Sequence, residues 1–80
     1  DLLAARDKLA TQLAALEAAE KAQAERKRIA DARYEAGISS YLEVLDAQRE
    51  LFNAQQSVVA TRRALLASAA QLYKALGGGA

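Results

Sequence analysis

Residues 33–44 read Arg33-Tyr34-Glu35-Ala36-Gly37-Ile38-Ser39-Ser40-Tyr41-Leu42-Glu43-Val44, and the reading of this stretch decides the fold. Nothing in residues 1–36 breaks a helix, and Gly37 is the stop. The position just past a helix end commonly takes the left-handed conformation that glycine adopts at little cost. Ser40-Tyr41-Leu42-Glu43 then has the Ser-x-x-Glu spacing of a capping box, in which the Ser40 side chain accepts from the Glu43 amide while Glu43 reaches back to the cap. Only residues 37–40 remain as a connection, and so short a loop makes the two helices antiparallel neighbours. The expected organisation is one helical hairpin: helix over 1–36, turn over 37–40, helix over 41–76 and a Gly-rich tail over 77–80.

Outward from the turn, the second helix carries the strongest pattern. Val44, Leu51, Val58, Leu65 and Leu72 fall seven apart, and so do Leu45, Phe52, Val59, Leu66 and Tyr73. A straight helix drifts by about 20° per heptad, so holding two columns in register implies left-handed supercoiling. Adjacent residues point roughly 100° apart, which makes this face wide enough to touch more than one neighbouring helix. A barrel or bundle follows, or a four-helix bundle of two hairpins. On the first helix Leu2, Leu9 and Leu16 recur seven apart, with Ala5 and Ala19 as the expected companion column. Ala15, Ala22, Ile29 and Ala36 form another column on a neighbouring face, where small side chains would admit a close partner.

Opposite the apolar columns of the second helix, steps of three and four residues give the stripe Leu42, Asp46, Arg49, Asn53, Gln56 with Ser57, Ala60, Ala64, Ser68 and Gln71. It is polar yet uncharged after Arg49. Such a stripe is either the wall of a water-filled passage or a solvent face rich in Ala and Gln.

Composition excludes several classes. The chain has 80 residues, no Cys, Met, Trp, Pro or His, and a formal net charge of +1. It offers no disulfide framework, no thiolate and no imidazole for general-base or metal work, and its scattered carboxylates form no acid/base constellation. No enzyme, metal or cofactor is implied. Near-neutral charge argues against nucleic acid, and the run Glu25-Arg26-Lys27-Arg28 has Glu20, Asp31 and Glu35 as nearby helical partners. All ten acids lie between Asp1 and Glu50, which leaves Arg62, Arg63 and Lys74 apparently unopposed. No stretch approaches the ~20 apolar residues of a membrane span. The opening Asp1-Leu2-Leu3-Ala4-Ala5-Arg6 lacks the basic start and apolar run of a signal peptide, and beginning inside a helical pattern suggests a piece of something larger. Two such helices bury one stripe each, so the hairpin is expected to need partners.

Read together, Arg33-Tyr34-Glu35-Ala36-Gly37, then Tyr41-Leu42-Glu43-Val44-Leu45-Asp46-Ala47-Gln48-Arg49, then Leu51-Phe52-Asn53-Ala54-Gln55-Gln56, and finally Leu72-Tyr73-Lys74-Ala75-Leu76-Gly77-Gly78-Gly79 resemble the C-terminal part of a TolC/OprM-like outer-membrane factor. The match covers residues 33–79, while residues 1–32 match only as an Ala-rich helix. The resemblance implies an all-α antiparallel coiled-coil hairpin that is part of an α-barrel tunnel in a trimeric channel. That channel would reside in the outer membrane of a Gram-negative bacterium, with this segment in the periplasm. It also implies a partner, the periplasmic adaptor (membrane fusion) protein of a tripartite multidrug efflux or secretion pump. Position by position, Leu42 and Asp46 match the constricting leucine and aspartate of the OprM-like branch, Arg49 matches a nearby arginine, and Glu43 sits where the TolC branch has an acidic constriction residue; these four are the expected pore constriction. Tyr34 matches a tip tyrosine that holds the closed state. Ser39 replaces an arginine that forms a closed-state link in the TolC branch, so closure would rely on Leu42 and Asp46. The turn, with Tyr34, Gly37, Ile38, Ser39 and Ser40, is the expected adaptor-docking tip. Ser39, between stop and cap, is the turn position expected to carry least structural duty. Tyr34 and Tyr41 flank the turn as adaptor contacts or as a packing staple. The alternative readings are the adaptor's own hairpin, which lacks the Gly-rich end, and a generic coiled-coil module without a transport role.

Overall fold

The computed structural model describes residues 1–77 and contains two helices, α1 (Leu2–Glu35) and α2 (Tyr41–Ala75), laid antiparallel. The described residues are all-α, in a body of 63 × 17 × 13 Å. At the start of α1 the Ala4 amide donates to the Asp1 carboxylate at 2.9 Å, so Asp1 caps the helix.

The end of α1 is a Schellman closure. The Gly37 amide donates to the Tyr34 carbonyl at 3.0 Å and the Ile38 amide to the Arg33 carbonyl at 2.9 Å, with Gly37 at φ +74. Gly77 closes α2 at φ +77, its amide donating to the Lys74 carbonyl at 3.0 Å. The rest of the expected Gly-rich tail, residues 78–80, lies outside the described residues.

The capping box expected at Ser40 does not form. Ser40 takes the extended N-cap conformation, but its hydroxyl makes no cap bond; the Glu43 amide donates instead to the Ser40 backbone carbonyl at 3.2 Å. The Glu43 carboxylate turns across the hairpin and accepts from Arg33 Nε at 3.4 Å. A cationic neighbour on α1 thus takes the acceptor that a purely local pattern assigns to the cap.

The seam between the helices steps by three and four residues in alternation. On α2 it runs through Val44, Ala47, Leu51, Ala54, Val58, Thr61, Leu65, Ser68 and Leu72, all buried or half-buried. Large and small residues alternate along it, and Ala47 is 0% and Val58 1% exposed. On α1 it runs through Leu9, Leu13, Leu16, Glu20, Gln23, Lys27 and Ala30. Near the tip Ala30, Val44 and Ala47 form one buried cluster, where small side chains bring the backbones close.

Three expectations about faces need correction. The companion column of Leu2, Leu9 and Leu16 is not Ala5 and Ala19, which are exposed, but the row holding Leu13. Packing selects the row four residues on, because it shares the seam side. Ser68 is not on an outer polar stripe: it is 7% exposed within the seam. That stripe followed the 3.6-residue turn of a straight helix, whereas the seam repeats every 3.5 residues, and over three heptads the accumulated drift of about 20° each carries position 68 inward. Arg62 is not unopposed, since its Nη2 meets Glu17 Oε2 of α1 at 2.8 Å. The second apolar column of α2 stays on the outside, with Phe52 58% and Leu66 72% exposed.

Candidate functional site

The residues singled out by the sequence fall into two groups at one end of the hairpin. At the tip, Tyr34 closes α1 and Tyr41 opens α2, and their rings meet edge to face with centroids 5.0 Å apart at 62°. Two half-exposed rings so arranged staple the hairpin end while leaving their outer edges in solvent. Between them Gly37 and Ser40 are exposed, and Ile38 projects with 65% of its surface free. Ser39 does not have the open position expected of it. It is half-buried, and its hydroxyl oxygen is enclosed without a hydrogen-bond partner. The Schellman closure directs Ile38 outward and folds Ser39 back over the end of α1, where its amide approaches the Arg33 carbonyl at 3.4 Å.

One turn further along α2, Leu42, Leu45, Asp46 and Arg49 surround a single shallow depression on the outer face. Leu42 is 74% exposed at its tip-side edge. Asp46 Oδ2 accepts from Arg26 Nη2 of α1 at 2.7 Å, and Asp46 Oδ1 accepts from Arg49 Nη2 at 3.0 Å. The hydrogen bond from Arg26 is the largest influence holding the Asp46 carboxyl below its ordinary range, with Arg49 adding to it. Glu43, the fourth expected constriction residue, does not join this group. It faces Arg33, and those two residues share a separate hollow with Arg26, Ile29 and Ala30.

The basic run 26–28 is fully matched by acids. Arg28 pairs with Glu25 at 2.6 Å, which lowers the Glu25 carboxyl, and Lys27 pairs with Asp31 at 2.7 Å, while Arg26 crosses to Asp46. These pairs make residues 25–28 a neutralised flank. No helix among the described residues is long and apolar enough to cross a membrane.

The outer membrane efflux protein family matches residues 1–78. This chain belongs to that family. Within the outer membrane efflux proteins, it is 48% identical over 79 residues to the probable efflux pump outer membrane protein TtgC of Pseudomonas putida, covering 99% of this chain and 16% of that protein. The solvent efflux pump outer membrane protein SrpC of Pseudomonas putida is 55% identical over 51 residues, covering 64% of this chain and 11% of that protein. The pyoverdine export outer membrane protein OpmQ of Pseudomonas aeruginosa is 49% identical over 51 residues, again 64% of this chain and 11% of that protein. The chain thus spans 16% of the length of the first of these relatives. No solved structure matches it significantly. Membership in an efflux-channel family sets aside the adaptor hairpin and the generic coiled-coil module.

Arg26, Arg33 and Leu45 join the expected residues of this efflux-family hairpin only once it is folded. Arg26 and Arg33 lie seven apart on one flank of α1, a spacing that places them beside the same edge of the seam. That spacing was a usable signal. Leu45 heads the outer apolar column of α2 and also lines the depression beside Asp46.

Proposed function

We propose that this hairpin is the periplasmic entrance segment of a trimeric outer-membrane efflux channel in a Gram-negative bacterium, with the outer face of α2 narrowing the passage and the turn docking a periplasmic adaptor protein of a tripartite pump. The observation that carries the reading is the cluster of Leu42, Leu45, Asp46 and Arg49 around one depression just past the tip, where an apolar rim adjoins a fixed charge group. Three copies around an axis would form a ring with a leucine collar above alternating carboxylates and guanidiniums. The neighbouring hairpins would cover the rest of the exposed column, from Phe52 to Tyr73, which α1 leaves open. Substrates would pass from the periplasmic complex to the exterior through this ring, and the hairpin performs no chemistry.

Leu42→Ala combined with Asp46→Ala in the full-length channel tests the narrowing. In planar bilayers the double variant is expected to give a higher single-channel conductance and a weaker preference for cations. Unchanged conductance and selectivity in a correctly assembled trimer would remove these residues from the entrance. For docking, Ile38 is the appropriate probe because Ser39 is enclosed. Ile38→Asp leaves the backbone closure intact and is expected to weaken adaptor cross-linking. Cross-linking at the unsubstituted level would place adaptor contact on the helix flanks.

A further inference from the structure

We infer that Arg26, on α1, is a selectivity-determining positioning residue that governs the charge Asp46 presents at the entrance. The inference rests on the proposed reading that Asp46 faces the passage. Asp46 does not stand as a free carboxylate. Each of its oxygens accepts from a different guanidinium, Oδ2 from Arg26 at 2.7 Å and Oδ1 from Arg49 at 3.0 Å. The two arginines differ in origin. Arg49 lies three residues along the same helix and is 70% exposed, so its side chain follows Asp46 wherever α2 goes. Arg26 reaches over from the other helix, and its short contact ties the carboxylate to the α1 flank of the hairpin.

Two consequences follow from the charges. Arg26, Asp46 and Arg49 together carry one net positive charge, and Glu50, whose Oε1 lies 3.9 Å from Arg49 Nη2, brings the linked group to neutrality although its central residue is an acid. An acidic ring favours cations; one neutralised in this way does so less. Removing Arg26 alone leaves the group with one net negative charge and frees Oδ2 from α1, leaving Asp46 with its exposed local partner. Arg26 is itself half exposed, so its loss buries no unpaired charge. Arg33, one heptad along, faces Glu43 at 3.4 Å rather than Asp46.

The test is a series of single substitutions in the full-length channel, read as the K+/Cl− permeability ratio from reversal potentials at low salt, where fixed charges are least screened. Arg26→Lys, which keeps the charge, is expected to stay near the unsubstituted ratio. Arg26→Gln is expected to raise the ratio about twofold or more and Arg26→Glu further, given the Coulomb and screening lengths involved. Asp46→Asn is expected to lower it. A merely structural role for Arg26 would alter trimer yield or melting without ordering the ratios by charge. An Arg26→Gln ratio that is unchanged or lower, while Asp46→Asn shifts it, would overturn the role of Arg26 and leave the entrance reading standing. No shift with Asp46→Asn would overturn both.

Discussion

Val58→Ala and Phe52→Ala should separate the two apolar columns of α2, which look alike in the sequence. Val58 is 1% exposed in the seam. Truncation to alanine removes two methyl groups, about 1.6 kcal/mol at ~0.8 kcal/mol for each buried carbon, and a residual cavity raises the loss to about 2–2.5 kcal/mol. Partial collapse of a two-helix seam keeps it from going higher. Phe52 is 58% exposed, so less than half of its surface is covered within the hairpin. Its loss is offset by the better helix propensity of alanine, which is worth about 0.5 kcal/mol. At low concentration Phe52→Ala should therefore lie within about 0.5 kcal/mol of the parent. The parent itself should self-associate through the exposed column, so its melting midpoint should rise with concentration. Urea titrations followed by helical circular dichroism at several protein concentrations, with sedimentation alongside, make the measurement. Val58→Ala should lower stability equally at all concentrations, whereas Phe52→Ala should flatten the concentration dependence. A Phe52→Ala loss as large as that of Val58→Ala at the lowest concentration would refute the assignment of columns to faces. A concentration-independent melt of a monomer would refute the outer column as an inter-hairpin surface.

Two further outcomes follow from local geometry. Gly37 sits at φ +74 with nothing within 4 Å of where a Cβ would stand, so Gly37→Ala meets no clash. It should cost only the conformational penalty of about 1 kcal/mol, with Gly37→Asn costing less, as read from urea midpoints. The Asp46 carboxyl is held low by Arg26, and a depressed acid stabilises the fold fully above its unfolded pKa of about 3.9, losing that contribution as the pH falls through the lower folded value. Thermal midpoints measured below about pH 4 should thus fall less in Arg26→Gln than in the parent, and added salt should shrink the difference. Equal acid slopes in the two proteins would show that the cross-helix pair contributes nothing in solution.

The sequence by itself determined what is local or periodic. Gly37 announced the left-handed stop, the Val44 and Leu45 series announced two columns and a supercoil, and the segments at 33–37, 41–49 and 51–56 pointed to the efflux-channel family. Each of these is a property of neighbouring residues or of spacing alone. Spacing does not say which of two equivalent columns faces the partner helix. In the folded hairpin Val44 is buried in a cluster with Ala30 and Ala47, while Phe52 and Leu66 stay outside. Nor does spacing reveal pairs between residues far apart in the chain. Glu17 with Arg62, Arg33 with Glu43 and Arg26 with Asp46 meet only after the turn has set the helices antiparallel and in register. The first of these removed an apparently unopposed arginine, the second drew Glu43 from the cap that its sequence position suggested, and the third turned an acid into the centre of a charge cluster. Ser68 moved into the seam for a related reason: the supercoil repeats every 3.5 residues while a lone helix turns every 3.6, and only packing against α1 imposes the shorter repeat.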